Sequence, residues 1–254
     1  MNEWVKVERN YPHCTILTLN RPDKRNALTI NLMNCLCEQI EEAQEIANQR
    51  AIIIKGAGPV FCAGMDLSEA MDESLEEASS KIIGRLMRTV YECPLITIAV
   101  VHGASLAGGA GLMCTCDLAL AETNTLFGFP EIRRGLVAAQ IMPYIKQLIP
   151  RRLLHEMIFL GETIDVHRAY EIGLINKISP ANGGLTDALK YVEKIIKGAP
   201  KATKKAKRYI QMLDSLDFYE GLRAGLELHR QMRQEKESKE GMRAFLEKRL
   251  PHWG

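Results

Sequence analysis

The chain has 254 residues, of which 46% are hydrophobic and 25% charged, and its formal net charge is +2. This composition is typical of a globular protein with a sizeable core, and the small net charge gives no reason to expect nucleic acid or a membrane as a partner. Because the N-terminus lacks an apolar signal segment and no stretch has the apolar length of a membrane helix, we expect a soluble, cytoplasmic protein.

The first elements of the chain alternate between strands and a helix. Residues 5–8 and 15–19 alternate apolar and polar side chains, which predicts a β-hairpin. Apolar residues then recur at helical spacing from Thr29 onward, which predicts an amphipathic helix. An isoleucine-rich stretch at 51–55 predicts a buried strand that ends at Gly56.

A glycine turn follows this strand. Residues 60–67 are predicted to leave a further strand, turn at Gly64 and enter a polar, mobile segment at 68–80. Apolar side chains between Ile82 and Val90 predict the helix after that segment.

The centre of the chain is a second glycine turn, after an apolar strand predicted at 95–101. Residues 103–111 are rich in glycine and precede a short helix predicted at 112–116. Such a turn leaves backbone N–H groups uncovered at a helix N-terminus, where they can hold an oxygen that becomes negative. The turn has neither the Lys-Ser/Thr of a Walker loop nor G-x-G-x-x-G spacing, and close helix packing is the alternative interpretation.

A carboxylate follows these amides. Strands are predicted at 117–121 and 125–129, and Glu131 comes directly after them in the stretch Phe-Gly-Phe-Pro-Glu-Ile. Two glycine turns at strand ends, together with one acid in an apolar setting, favour chemistry through an enolate-like anion.

The last part of the chain is mostly helical. Everything after Asn182 is predicted as helix, with interruptions at Pro200 and Gly221. We therefore divide this α/β protein into a core, residues 1–195, and a C-terminal helical region, residues 196–254, whose amphipathic helices favour an oligomer. The elements predicted before Asn182 are helices at 141–148, 151–160 and 165–172 and a strand at 174–178.

Seven cysteines are present, and two pairs of them are separated by a single residue, Cys35 with Cys37 and Cys114 with Cys116. No histidine follows either pair at the spacing of a zinc finger. We expect reduced thiols that pack as small apolar side chains, and no metal site.

The glycine turns and Glu131 belong to a series of motifs that runs along the whole chain. The motifs are Asn20-Arg-Pro with Asn26-Ala-Leu, Phe61-Cys-Ala-Gly-Met-Asp, His102-Gly-Ala-Ser-Leu-Ala-Gly-Gly, Cys116-Asp, Phe127-Gly-Phe-Pro-Glu-Ile, Ala169 with Gly173-Leu-Ile-Asn, and Gly241-Met-Arg-Ala-Phe with a later Lys-Arg. Together they resemble the motifs of the enoyl-CoA hydratase/isomerase (crotonase) family, in the family's order and over residues 5–249.

The resemblance implies a crotonase-like fold: a spiral of ββα units with a C-terminal helical region that drives trimerisation, as a homotrimer or a dimer of trimers. It implies an acyl-CoA thioester as substrate and no metal or redox cofactor. The backbone N–H groups of Met65 and Gly108 would hold the thioester oxygen. The substrate-binding residues that it implies are Arg25, Ala27, Ala63, Asp66, Leu67, Gly109, Gly111, Phe245 and Lys248.

Two of these residues, Phe245 and Lys248, match C-terminal positions that approach CoA bound to a neighbouring subunit in the family. A packed phenylalanine and a helix-end salt bridge are the alternative interpretation of this pair.

The acids depart from the family's pattern. Typical hydratases of the family use two glutamates; Glu131 matches the second, whereas Gly111 stands in place of the first. We expect an apolar pocket to raise the pKa of Glu131 and this acid to work alone, the alternative being an exposed acid paired with Arg133 or Arg134. A water in the space beside Gly111, or the substrate's own carboxylate, is our hypothesis for what replaces the missing acid.

The resemblance therefore implies a hydratase that adds water to a 2-enoyl-CoA, with a single-glutamate enoyl-CoA isomerase as the alternative. The stretches 108–112 and 130–139 together are also similar to a bacterial subset assigned to methylglutaconyl-CoA-type hydratases. Two further alternatives are RNA binding through the basic run at 201–208, which we interpret as a solvated helix, and a non-catalytic family member.

Overall fold

The computed structural model describes residues 3–253, and the chain divides into two compact units, one ending at Val192 and one beginning at Glu193. The sequence-based division between residues 195 and 196 lies close to this boundary, at the end of the helix Gly184–Ile195.

Strands supply two sheets in the first unit. The strands among residues 3–253 are β1 (Val5–Tyr11), β2 (Cys14–Leu19), β3 (Ala51–Gly56), β4 (Ile96–Val101), β5 (Ala104–Leu106), β6 (Leu118–Glu122), β7 (Leu126–Gly128), β8 (Thr163–Asp165) and β9 (Lys177–Ser179).

The larger sheet has six strands in the order β1-β2-β3-β4-β6-β9. The first two strands form the predicted antiparallel hairpin, and the other neighbours pair in parallel. Ile16, Ile53 and Ile98 lie side by side across three strands, and all three are fully buried. Continuous apolar runs of this kind are typical of parallel strands covered on both faces.

The smaller sheet has three strands in the order β5-β7-β8. Strands β5 and β7 are parallel, with Ser105 opposite Phe127. The carboxyl ends of parallel neighbours lie at the same edge of a sheet, so this pairing places two segments side by side. They are the glycine turn after Leu106 and the segment after Gly128 that contains Glu131.

Helices of the first unit surround these sheets. The helix α1 (Ile30–Glu45) begins where Thr29 Oγ1 accepts a hydrogen bond from the Leu32 N–H at 3.2 Å, which satisfies one free donor of the first turn. The helices that follow are α2 (Leu67–Ala70), α3 (Glu76–Glu92), α4 (Gly108–Thr115), α5 (Met142–Leu148), α6 (Arg151–Leu160), α7 (Val166–Glu171) and α8 (Gly184–Ile195), with 3₁₀ turns at Pro22–Lys24, Glu73–Leu75 and Pro130–Arg134.

The second unit is helical, with α9 (Pro200–Leu213), α10 (Phe218–Gln234) and α11 (Lys236–Leu246). Pro200 occupies the first turn of α9, as the sequence predicted, because a proline there gives up no intrahelical hydrogen bond. The predicted break at Gly221 is wrong. The chain breaks earlier, at Asp217, whose side chain forms a capping box with Glu220 at the start of α10.

The basic run at 201–208 lies on α9. Lys201 Nζ forms an ion pair with Glu235 at 2.9 Å, and the Lys207 side chain is buried. The interpretation of this run as a wholly solvated helix is therefore wrong for Lys207.

Several element boundaries in the first unit differ from the predictions. No strand is present at 60–62, where Cys62 makes only an isolated bridge to Ser105. The helix predicted at 112–116 begins at Gly108, because burial of its glycines outweighs their low helix propensity. The last strand begins at Lys177, later than predicted.

The polar segment at 68–80 is also more regular than predicted. It contains most of α2 and the first residues of α3. Asp66 caps α2 by accepting a hydrogen bond from the Ser68 N–H at 2.9 Å, which gives this short helix a defined start. No helix among residues 3–253 is long and apolar enough to cross a membrane.

Candidate active site

The first candidate donor is the backbone N–H of Met65. The Leu28 N–H donates to the Gly64 carbonyl at 2.8 Å, and the Asp66 N–H donates to the Leu28 carbonyl at 3.0 Å. In a planar trans peptide the C=O and N–H bonds point in opposite directions, so the bond to Gly64 O turns the Met65 N–H away from Leu28. Within residues 3–253 this N–H donates to no protein group.

The second candidate donor is the N–H of Gly108, the first residue of α4. The N–H groups of a first helical turn have no intrahelical partner, and none within the described chain accepts from Gly108. Ala107 holds this amide in place: its own N–H donates to Gly128 O at 2.9 Å, and its carbonyl accepts from the Gly111 N–H at 2.9 Å.

Ala107 has a backbone conformation that is rare for a residue with a side chain. Its φ is +49° and its ψ is −126°. Holding a residue in such a region costs about 1–3 kcal/mol, and such residues are concentrated at functional sites. The strain at Ala107 sets the direction of the peptide that carries the Gly108 N–H.

The two glycine turns are in contact with each other. A Cβ on Gly64 would lie 3.4 Å from the Gly108 nitrogen and 2.9 Å from the Ala107 Cβ, and a Cβ on Gly108 would lie 3.7 Å from the Met65 nitrogen. Gly64 also has a φ of +102°, which only glycine adopts without strain. The structure therefore brings together two backbone donors from separate loops, an arrangement that can stabilise an oxyanion.

Cys62 joins the first turn to β5. Its N–H donates to Ala104 O at 3.2 Å, and its carbonyl accepts from the Leu106 N–H at 3.0 Å. Gly109, a predicted substrate-binding residue, faces Cys62, because a Cβ there would lie 2.5 Å from the Cys62 oxygen. Gly109 thus allows α4 to approach the first turn closely.

Glu131 lies in the 3₁₀ turn Pro130–Arg134, and its Oε2 atom is buried without a hydrogen-bond partner among residues 3–253. Burial raises the pKa of Glu131, and the opposing effects of its own backbone N–H and of the Arg134 charge are smaller. Arg133 pairs with Glu162 instead, and Arg134 donates to the Pro130 carbonyl. The alternative of an acid paired with either arginine is therefore not observed in the described chain.

The space beside Gly111 is filled. A Cβ on Gly111 would lie 2.4 Å from Cγ2 of Ile141 and 2.9 Å from its Cβ, and Ile141 is 4% exposed. The hypothesis that a water occupies this space in place of the missing acid is therefore wrong, because an apolar side chain occupies it.

Two of the predicted substrate-binding residues, Arg25 and Ala63, lie beside the first glycine turn. The Ala63 N–H donates to the Arg25 carbonyl at 3.0 Å, so these two predicted residues are neighbours. Leu67 is exposed at the start of α2, as expected for a residue that could contact a ligand. The carbonyl of Ala27 accepts from Arg21 Nη1 at 3.2 Å.

Asp66, also predicted to bind substrate, forms an ion pair with Arg21 at 2.6 Å. Sequence reasoning missed Arg21, although the Asn20-Arg-Pro motif that contains it had been noted. Glu69 lies in the same region, and its Oε2 accepts a hydrogen bond from the Ile30 N–H at 2.8 Å, which caps α1.

The remaining predicted residues, Phe245 and Lys248, belong to the second unit. Phe245 lies on α11 and is 82% exposed, so the alternative of a packed phenylalanine is wrong within this chain. Lys248 follows α11 with a φ of +55°. Their approach to CoA stays a prediction.

All seven cysteines are free and buried. Burial raises the pKa of Cys62 to about 12, which keeps its thiol protonated beside the first turn. No group of three or more His, Cys, Asp or Glu side chains in residues 3–253 could hold a metal ion.

Comparison with known proteins identifies the family of the chain. The family model described as enoyl-CoA hydratase/isomerase matches residues 11–254. The 2,3-dehydroadipyl-CoA hydratase of Escherichia coli is 30% identical, with 93% of each chain covered, and the enoyl-CoA isomerase/hydratase fer4 of Mycosarcoma maydis is 29% identical, with 92% of this chain and 90% of that protein covered.

Among solved structures, the enoyl-CoA hydratase of Bacillus anthracis superposes with a TM-score of 0.94 at 30% identity, with 98% of each chain covered. The expected α/β fold with a helical C-terminal region is therefore confirmed. The chain belongs to the enoyl-CoA hydratase/isomerase (crotonase) family.

Proposed function

We propose that this protein is an enoyl-CoA hydratase that adds water across the 2,3 double bond of a 2-enoyl-CoA. The observation that carries the proposal is the contact between two turns whose N–H groups, at Met65 and Gly108, have no partner in the described chain. Such donors stabilise the negative oxygen of a thioester enolate, and removing one typically slows a reaction about 10²- to 10³-fold.

Glu131 supplies the proton transfers. Its carboxylate takes a proton from water as the water oxygen forms a bond to C3, and the electrons of the double bond move onto the thioester oxygen. The two N–H groups hold that oxygen while the enolate exists. Glu131, now protonated, returns the proton to C2, which restores the carboxylate. The step adds one water without oxidation or reduction.

The second candidate is an enoyl-CoA isomerase, and the filled space beside Gly111 favours it. With Ile141 in that space, Glu131 is the single acid among the predicted catalytic residues. One carboxylate suffices to remove a proton from C2 of a 3-enoyl-CoA and to return it to C4, with the same two amides holding the enolate oxygen.

Product mass distinguishes the two reactions. Purified protein would receive but-2-enoyl-CoA, methylglutaconyl-CoA and a 3-enoyl-CoA in ¹⁸O-labelled water. We expect a 2-enoyl substrate to gain one labelled water. Conversion of the 3-enoyl substrate without a change in mass, and without hydration of the 2-enoyl substrates, would contradict the hydratase and establish the isomerase.

We also propose that the chain forms a homotrimer or a dimer of trimers. Support comes from the second unit, where Phe218, Leu246 and Leu250 expose most of their apolar surface. Light scattering should give a mass of three or six chains of 28.5 kDa each. The variant Leu246→Asp/Leu250→Asp should lower that mass, whereas Lys239→Asp, a change at an exposed position, should not; a monomeric wild type would contradict the proposal.

A further inference from the structure

Arg21 joins the two chain segments that surround the Met65 amide. One nitrogen, Nη1, donates both to the Ala27 carbonyl at 3.2 Å and to Asp66 Oδ2 at 2.6 Å. The side chains of Arg21 and Asp66 are only 19% and 12% exposed, so the pair is shielded from much of the solvent. Ion pairs of this kind hold their geometry better than fully exposed ones.

These two contacts flank the pair of backbone hydrogen bonds that directs the Met65 N–H, from Leu28 N–H to the Gly64 carbonyl and from Asp66 N–H to the Leu28 carbonyl. Ala27 directly precedes Leu28, whose N–H holds the Gly64 carbonyl, and Asp66 directly follows Met65. Arg21 thus links the segment that contains Ala27 and Leu28 to the segment that contains Met65 and Asp66.

Arg21 is itself held by Asn26. The Asn26 Oδ1 atom accepts from the Arg21 N–H at 2.9 Å, and its Nδ2 donates to the carbonyls of Ala57, Val60 and Phe61 at 2.8, 2.9 and 3.1 Å. Asn26 is fully buried. Its hydrogen bonds fix the loop that carries Arg21 to the segment that leads into the first glycine turn.

Asp66 keeps its charge in this arrangement. Burial raises the pKa of Asp66, but hydrogen bonds from Arg21 and from the Ser68 N–H outweigh this effect, so its pKa lies below the usual range. The ion pair is therefore intact throughout the neutral pH range.

We propose that Arg21 is a positioning residue which, through Asp66 and Ala27, fixes the Met65 N–H where it can polarise a thioester carbonyl. The inference rests on the proposed function, in which that N–H holds the thioester oxygen. It also gives Asp66 a role other than the contact with substrate that the family resemblance implied. Loss of the hydrogen bonds from Arg21 to Asp66 and Ala27 lets the Met65 peptide move. A displacement of about 1 Å can slow a reaction about 10²-fold.

The test measures carbonyl polarisation separately from binding. Butyryl-CoA labelled with ¹³C at C1 has no double bond to hydrate, and its carbonyl stretch in the isotope-edited infrared spectrum moves to lower frequency when hydrogen bonds polarise the carbonyl. The same variants would be assayed for kcat and KM with but-2-enoyl-CoA and for the Kd of butyryl-CoA by calorimetry.

We expect Arg21→Met to lose most of the infrared shift and to lower kcat about tenfold to a hundredfold, with the Kd within about threefold of wild type. Arg21→Lys, which keeps a charged donor, should recover part of both. Asp66→Asn should lose less of the infrared shift and of kcat, and it replaces Arg21→Met in the test if that variant does not fold. Arg85→Met is the matched control, because it breaks the exposed ion pair with Glu41 and should change neither value.

Two results in the variants would overturn the inference. If both Arg21→Met and Asp66→Asn kept the infrared shift and the kcat of wild type, the Arg21–Asp66 ion pair would have no effect on the Met65 N–H. A Kd raised tenfold with an unchanged infrared shift would show that Arg21 contacts CoA. If wild type itself neither shifts the carbonyl band nor turns over any enoyl-CoA, the proposed function fails, and the inference fails with it.

Discussion

The amide side and the acid side of the candidate site are held in different ways. The peptides of Met65 and Gly108 are fixed by backbone hydrogen bonds on either side of each donor, whereas Glu131 Oε2 has no partner in the described chain. Donors that stabilise charge must be in place before the charge develops. An acid–base group, in contrast, must exchange a proton with more than one atom. The candidate site is therefore held by hydrogen bonds around its proposed donors, whereas one oxygen of its proposed acid has no hydrogen-bond partner in the described chain.

The largest effect on activity is expected when the proposed acid, Glu131, is replaced. Glu131→Gln keeps the shape of the side chain but cannot take up a proton, so we expect kcat on the preferred enoyl-CoA to fall about 10²- to 10⁴-fold. Binding of butyryl-CoA and its infrared shift should persist, because the amides are untouched. Glu162→Gln, at an exposed carboxylate paired with Arg133, is the control and should keep full activity. A loss of less than tenfold in Glu131→Gln would contradict the role of this acid.

The next largest effect is expected when the Met65 peptide is displaced. A Cβ in Gly64→Ala would lie 2.9 Å from the Ala107 Cβ at a φ of +102°, so the Met65 peptide must shift and kcat should fall about 10²-fold. Gly173→Ala is the matched control, since its φ is +80° and its nearest neighbour is 3.8 Å away. Gly173→Ala should lose about 1 kcal/mol of stability in denaturant unfolding and Gly64→Ala more, because of its contact with Ala107, but only Gly64→Ala should lose activity. If Gly64→Ala and Gly173→Ala had equal activity, the first glycine turn would have no role in catalysis.

A third variant attempts to restore the second acid. Gly111→Glu places a Cβ against Ile141, so we expect a loss of about 1–3 kcal/mol in denaturant unfolding and no gain in hydration rate. Gly111→Glu combined with Ile141→Ala should lose less stability than the sum of the single changes, because the two side chains compete for the same space. Strict additivity in this double-mutant cycle would show that Ile141 does not fill the site of the missing glutamate.

The smallest effect concerns pH. Burial raises the pKa of Glu131 above the ordinary value of 4.5, and hydration requires the carboxylate, so kcat/KM should fall in acid with a midpoint above 4.5. Between the unfolded and folded pKa values the folded state binds more protons, so this group's contribution to stability decreases as pH rises through that window.

Glu131→Gln has no such titration. Its melting temperature should therefore exceed that of wild type by at most a few degrees at pH 7, and the difference should shrink in acid below both pKa values. A variant less stable than wild type at pH 7 would show that Glu131 has a stabilising partner.

Local patterns predicted much of the fold. The hairpin, β3, β4 and α1 follow from hydrophobic periodicity, which depends on neighbouring residues alone. The contact between the turns at Gly64 and Gly108 was expected from motifs at strand ends, and the glycines are required there by close approach of the backbone. The start of α4 was missed because glycine is a poor helix former, and only burial against Cys62 explains its place in a helix.

Contacts between distant residues could not be predicted. Arg21 and Asp66 are 45 residues apart, and nothing in either local sequence indicates that they pair. Ile141 likewise gives no local sign that it fills the space beside Gly111. In both cases the outcome depends on how separate elements pack, and that information is absent from periodicity and motif spacing.

The strained backbone of Ala107 has a consequence for how the chain can evolve. Its positive φ lowers folding stability by about 1–3 kcal/mol in every molecule, whether or not substrate is present. Because the strain is accommodated once, during folding, the Gly108 amide is already in place before substrate binds, and the proposed reaction needs no peptide rotation in its activation barrier. Selection for higher folding stability and selection for the proposed reaction rate therefore act in opposite directions on Ala107.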